Sequence, residues 1–178
     1  MNLKGFILKN IRPLFYFTWL MLNFALAQQT GLLDDEAYYW VYSRFLDWGY
    51  YDHPPMIAIL IKAGYGLFQN EFGVRLFIVL MSTATLFIID KLCEKRDDLL
   101  FYSIALSMFL LQIGSVIAVP DLPLMFFIAL YFLIYKAFIK TASLRNTILL
   151  GLVIACMLYS KYHGILIVFF TLLSNLVL

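Results

Sequence analysis

Apolar residues run in long blocks along this chain, each block closed by a short polar stretch. The blocks cover residues 14–27, 74–89, 99–119, 124–139, 147–158 and 165–178. A membrane-crossing helix needs roughly 17 to 25 residues, so with their flanks these blocks predict about six crossings. The expected fold class is therefore all-α, a polytopic membrane helical bundle. A further apolar run, 54–69, is short and holds Lys62, Gly64 and Gly66. Parity decides its place. The cluster Lys91, Glu94, Lys95 and Arg96 belongs on the cytoplasmic side, and 74–89 is the better crossing to reach it. Residues 54–69 are then expected along the outer interface as a second juxtamembrane helix, or as a re-entrant hairpin that keeps the same parity.

Two readings are open for the first block. With flanks 11–28 it makes a first transmembrane helix behind the basic residues Lys4, Lys9 and Arg12. Alternatively Ala25-Leu26-Ala27 ends a secretory signal, having the small-x-small form of a cleavage site. Both put the basic end in the cytoplasm and the next loop outside. Lys136, Lys140 and Arg145 mark the inner side again, with Lys136 able to snorkel. The outward position of Lys161 rests on alternation alone.

Composition narrows the class. The chain has 178 residues, 63% hydrophobic, 18% aromatic and 13% charged, with a mean hydropathy of +0.88. Soluble domains are near half apolar and a quarter charged, so an integral membrane protein is expected. A net charge of +2 is too small to argue for nucleic acid. Cys93 and Cys156 fall at an inner loop and inside a span, and read as neither a disulfide nor a metal pair.

Chemistry concentrates in the outer loop, residues 29–73. Asp34-Asp35-Glu36 opens a predicted helix, with Asp34 as N-cap and the acids facing the positive end of the helix dipole. Tyr38, Tyr39, Trp40, Tyr42, Phe45 and Trp48 suit a short helix at the membrane interface. Asp52 and His53 follow, and Pro54-Pro55 prevents helix there and aims the histidine. Asp121, between Pro120 and Pro123, occupies a similar forced break. Ser160-Lys161-Tyr162-His163 closes a later span. Alternation sends all these corners to one face.

Carboxylates and cations held at headgroup level suit a reaction on an amphipathic phosphate donor. An acceptor hydroxyl needs a carboxylate base, and a departing phosphate needs cationic or hydrogen-bonding donors such as Lys161 and His53. A second carboxylate can orient the first or hold a divalent cation, for which Glu36, Asp52 and His53 are the candidate ligands. Bland alternatives stand beside these roles. Asp35 and Glu36 can simply cap a helix, His163 can be interfacial packing, and the aromatic residues can be a membrane belt.

The acid pair, Gly49-Tyr50-Tyr51-Asp52-His53-Pro54-Pro55, Pro120-Asp121-Leu122-Pro123-Leu124 and Ser160-Lys161-Tyr162 occur in that order between apolar spans. In this the chain resembles the polyprenyl-phosphate-sugar-dependent glycosyltransferases, the C-type fold that includes the protein O-mannosyltransferases and the lipid A aminoarabinose transferase. Arg75, opening the next span, also fits. The resemblance implies transfer of a sugar from a polyprenyl-phosphate carrier, with inversion, on the periplasmic face of a bacterial inner membrane. The acceptor would be a hydroxyl on a glycolipid or protein. By resemblance Asp35 is the base with Glu36 beside it. Asp52, His53, Asp121, Lys161 and Tyr162 fall near the donor phosphate. The aminoarabinose branch has an arginine where this chain has Tyr38, which favours a more general bacterial branch. Family members carry about twice as many crossings and a soluble outer domain, so residues 1–178 read as the N-terminal part of a multispanning domain. The alternative function is a non-catalytic membrane module that binds a polyprenyl-phosphate lipid or a partner subunit.

Overall fold

A computed structural model describes residues 10–94, 97–108 and 113–177. Lys4, Lys9, Lys95, Arg96 and residues 109–112 of the expected 99–119 span lie outside the described residues. Within them the structure is entirely helical, in eight helices. These are α1 (Ile11–Gln29), α2 (Asp34–Arg44), α3 (Met56–Leu67), α4 (Glu71–Leu92), α5 (Asp98–Ser107), α6 (Asp121–Lys140), α7 (Leu144–Ser160) and α8 (Gly164–Val177). By length and composition, α4 and α6 are the two among the described residues that can cross a membrane. The other expected crossings correspond to helices that are shorter or less apolar.

Local chemistry sets the boundaries. The Asn70 side chain accepts the Gly73 N–H at 3.1 Å and starts α4, and Ser143 accepts from Asn146 at 3.3 Å and starts α7. Proline punctuates the rest. Pro54-Pro55 precede α3, and Pro120 leads into α6, whose first turn tolerates Pro123 because N–H groups there lack helical partners. One expectation is corrected. Asp34 is not the N-cap; Leu33 is, with extended backbone at φ −76° and ψ 162°. The Glu36 carboxylate accepts the Leu33 N–H at 3.0 Å, which starts the helix one residue earlier.

Helix α4 is the central post. It packs against α1, α3 and α6; α6 carries α7, and α8 lies on both. The α3–α4 hairpin is tight because two glycines let backbones touch. A Cβ on Gly64 would run into the Gly73 carbonyl, and one on Gly73 into that of Phe68. The two helices expected in this loop are thus present as α2 and α3, and they are packed into the bundle. Ile57 and Ile61 of α3 join Tyr39, Val74, Ile78 and Ala118 in one buried cluster. Each such aliphatic side chain contributes roughly 1.5 to 3 kcal/mol on burial. The outer loop is therefore fixed to the bundle by its own core.

The ends of the bundle differ in charge. At one, Arg12 bonds Asp90 at 3.0 Å, Tyr16 adds its hydroxyl at 2.8 Å, and Lys136 pairs with Glu94 near Lys140. At the other lie the start of α2, the start of α6 and the end of α7, which hold Asp35, Asp121 and Lys161. These corners share a common end.

Candidate active site

A buried ion pair anchors the acidic end. Arg75, in the first turns of α4, has only 3% of its side chain exposed, and Glu36 has none. Its Nε donates to Glu36 Oε1 at 2.7 Å and its Nη2 to Oε2 at 2.5 Å, a bidentate fork. The same guanidinium donates to the carbonyls of Ala27, Thr30 and Gly31 and to the Thr30 hydroxyl. Glu36 also accepts the N–H of Ala118 at 2.9 Å, just ahead of α6. One knot thus ties the end of α1, the start of α2, the start of α4 and the approach to α6. Burial pushes the Glu36 carboxyl up, but Arg75 and the two backbone N–H groups outweigh it, and the net shift is downward.

Asp35 is in the opposite position. It is exposed, and no hydrogen bond or ion pair holds it among the described residues. One turn on, Tyr39 is buried and feels several acids. Burial, then Asp52, Asp35, Tyr38 and Asp121, push its hydroxyl up to about 12. Carboxylates from three separate segments therefore act on one phenol. At neutral pH that phenol is a proton donor and not a base.

The remaining polar groups complete a shallow face. Asp52 accepts from Tyr38 at 3.2 Å and from Tyr42 at 3.0 Å, and the two hydroxyls also touch each other. Burial, the Tyr38 contact and Asp52 hold the Tyr42 hydroxyl above its ordinary range. His53 Nε2 lies 3.6 Å from Asp52, and its ring meets Tyr39 edge to face at 5.4 Å. Tyr50 stacks on Tyr42 at 4.0 Å, and its N–H donates to the His53 carbonyl at 3.0 Å, which holds the loop folded back on α2. Lys161, from the end of α7, donates to both oxygens of Asp121 at 2.8 and 2.9 Å. An ammonium has three donors, so a proton remains for a ligand. Asp121 is 56% and Lys161 24% exposed, leaving the pair open. Tyr162 and His163 are exposed on the adjoining turn.

The structure thus gathers Asp35, Asp52, His53, Asp121 and Lys161 at one end, while Glu36 is consumed in the knot. No three His, Cys, Asp or Glu among the described residues are grouped to hold a metal ion. The set Glu36, Asp52 and His53 does not form one, since both Glu36 oxygens already serve Arg75, Leu33 and Ala118. From sequence alone Tyr38, Tyr39 and Tyr42 read as belt residues. The spacing from Asp35 to Tyr38, Tyr39 and Tyr42 follows one helical face and was the available signal.

Residues 52–178 match the model of the dolichyl-phosphate-mannose-protein mannosyltransferase family. Over 161 residues the chain is 32% identical to the lipid A galacturonosyltransferase RgtD of Rhizobium johnstonii. That match covers 83% of this chain and 32% of the relative, so the chain spans about a third of the curated protein it resembles. No solved structure is significantly similar to it.

Proposed function

This chain belongs to the dolichyl-phosphate-mannose-protein mannosyltransferase family, and we propose that its acidic end forms part of a site that moves a sugar from a polyprenyl-phosphate carrier to an acceptor hydroxyl. The observation that carries the proposal is the separation of the acid pair. Glu36 is buried and saturated by Arg75, whereas Asp35 beside it is exposed and unpaired, at the same end as Asp52, Asp121 and Tyr39.

Asp35 takes the acceptor O–H proton as the acceptor oxygen attacks the anomeric carbon. The bond from that carbon to the phosphate oxygen breaks on the opposite face, and the carrier phosphate leaves with the electron pair. The anomeric centre is inverted. Negative charge growing on the phosphate meets the remaining Lys161 N–H and His53. Asp121 holds Lys161 in place, Asp52 does the same for Tyr38 and Tyr42, and Tyr162 lies on the donor side. No step is routed through a cation, because the donor set offers no grouped ligands.

Positive charge at the Arg12 and Lys136 end supports an orientation with that end cytoplasmic and the acidic end periplasmic, in a bacterial inner membrane. The relative acts on lipid A by its name, which supports a glycolipid acceptor here. Binding and transfer separate experimentally. In detergent, Lys161→Ala should weaken binding of a polyprenyl-phosphate sugar about tenfold or more, by loss of a charge-assisted contact, while Asp35→Asn should bind it normally. Undiminished donor binding by Lys161→Ala would remove the phosphate from this corner. The second reading, a carrier-binding module without transfer, predicts the same binding data with no carrier release by the wild-type chain.

A further inference from the structure

We propose that a second site, between α2 and α3, binds a phosphate monoester carried at headgroup level. A cavity of about 560 Å³ opens there, lined by Ser43, Arg44, Lys62, Tyr65, Gly66 and Gln69. Its charge is one-signed. Arg44 and Lys62 both line it, and neither has a carboxylate partner among the described residues. Two unpaired cations on one cavity attract a dianion more than a single carboxylate, and a phosphate monoester carries about −1.5 to −2 at neutral pH.

Arg44 is also pinned in place. Its guanidinium lies 5.8 Å from the ring centres of both Trp40 and Tyr65, which fixes the plane it presents. The Tyr65 hydroxyl and the Gln69 amide have no hydrogen-bond partner among the described residues and supply further donors. Beyond them an adjoining cavity of about 260 Å³ shares Tyr65 and Gln69 and is lined by Trp40. The Trp40 indole N–H is buried without a partner among the described residues. Glu71 lies on that second cavity, so the anion belongs on the Arg44 side.

The aromatic residues of α2 and α3 favour the headgroup region, which makes a membrane lipid the expected carrier of the phosphate. Ser43 is not counted as a donor, since its hydroxyl already donates to the Trp40 carbonyl at 2.6 Å. Gly66 offers a plug that leaves the charges alone. A Cβ there meets nothing within 4 Å, so a leucine fits the helix and takes up space on the cavity wall.

The inference stands apart from the transfer chemistry and is tested without it. Native mass spectrometry of the chain in detergent would count adducts of phosphatidic acid, a monoester, against phosphatidylcholine. The wild-type chain should retain phosphatidic acid about tenfold more tightly, the usual scale for one good charged contact. The Arg44→Gln, Lys62→Gln pair and the Gly66→Leu plug should each erase that preference, and Arg44→Lys should restore part of it. Displacement by inorganic phosphate as effective as by short-chain phosphatidic acid would assign a soluble anion to the same cavity; failure to displace assigns the lipid. No preference in the wild type, or one that survives both the charge pair and the plug, overturns the site. So does a preference lost only on Lys161→Ala, which would put the lipid at the donor corner.

Discussion

Glu36 accepts hydrogen bonds from Arg75, Leu33 and Ala118, while its neighbour Asp35 stays in contact with solvent. Adjacent carboxylates on a helix point about 100° apart, so one can be structural while the other stays reactive. Removing one partner of a buried ion pair strands the other and costs about 3 to 5 kcal/mol. Arg75→Ala should therefore lower the thermal unfolding midpoint of the detergent-solubilised chain by several degrees, whereas Asp35→Asn should leave it nearly unchanged. An equal loss in both would remove the distinction between them.

The same knot gives a pH dependence. Glu36 titrates below its ordinary 4.5 in the folded chain. Its contribution to stability is thus present above that unfolded value and is lost as pH falls through the lower folded one. Acid unfolding should steepen below about pH 4.5 in the wild type, and Glu36→Gln, although less stable at neutral pH, should show a flatter acid limb. A parallel acid limb in both proteins would assign the effect to other carboxylates.

At the scale of elements, the α3–α4 hairpin decides where the acids stand, since α2 rests on α3 and α3 on α4. Gly64 and Gly73 are the contact points, each with a carbonyl where a side chain would go. Gly64→Ala and Gly73→Ala should each destabilise by about 1 to 3 kcal/mol through overpacking. Gly66→Ala, with open space around it, should be neutral or gain up to about 1 kcal/mol from helix propensity. Thermal melts of the three variants check that order, and a Gly66→Ala loss matching the others would contradict the hairpin geometry.

Element positions were largely legible because apolar runs and prolines act locally. Residues 74–89 and 124–139 appear as the cores of α4 and α6, and Pro54-Pro55 and Pro120 stand where chains break. What joins them was not legible. Glu36 and Arg75 are separated by 39 residues and Glu36 and Ala118 by 82, and no periodicity links them. The N-cap moved from Asp34 to Leu33 because a distant-looking acid, Glu36, took the Leu33 N–H. Arg44 and Lys62, 18 residues apart, meet only where α2 and α3 bring them to one cavity.

Across the whole molecule, charge is divided between the ends. Arg12, Asp90, Glu94 and Lys136 pair at one end, and the proposed transfer groups face out at the other. The exposed Asp121–Lys161 pair is a weak contributor to stability, of the order of 0 to 1 kcal/mol for open pairs. Asp121→Asn should therefore melt close to wild type while weakening donor binding, by freeing Lys161 from its fixed place. A large fall in stability without any change in donor binding would make the pair a structural brace.

The most direct measurement gives the 178-residue chain a mixed pool of polyprenyl-phosphate sugars and follows release of free polyprenyl phosphate, with Asp35→Asn alongside. General-base catalysis is worth about 10² to 10⁴ in rate. The proposed site predicts release by the wild-type chain and a loss of that size in Asp35→Asn, with donor still bound. Release at equal rates by both chains would contradict Asp35 as the base and the acidic end as the place of transfer.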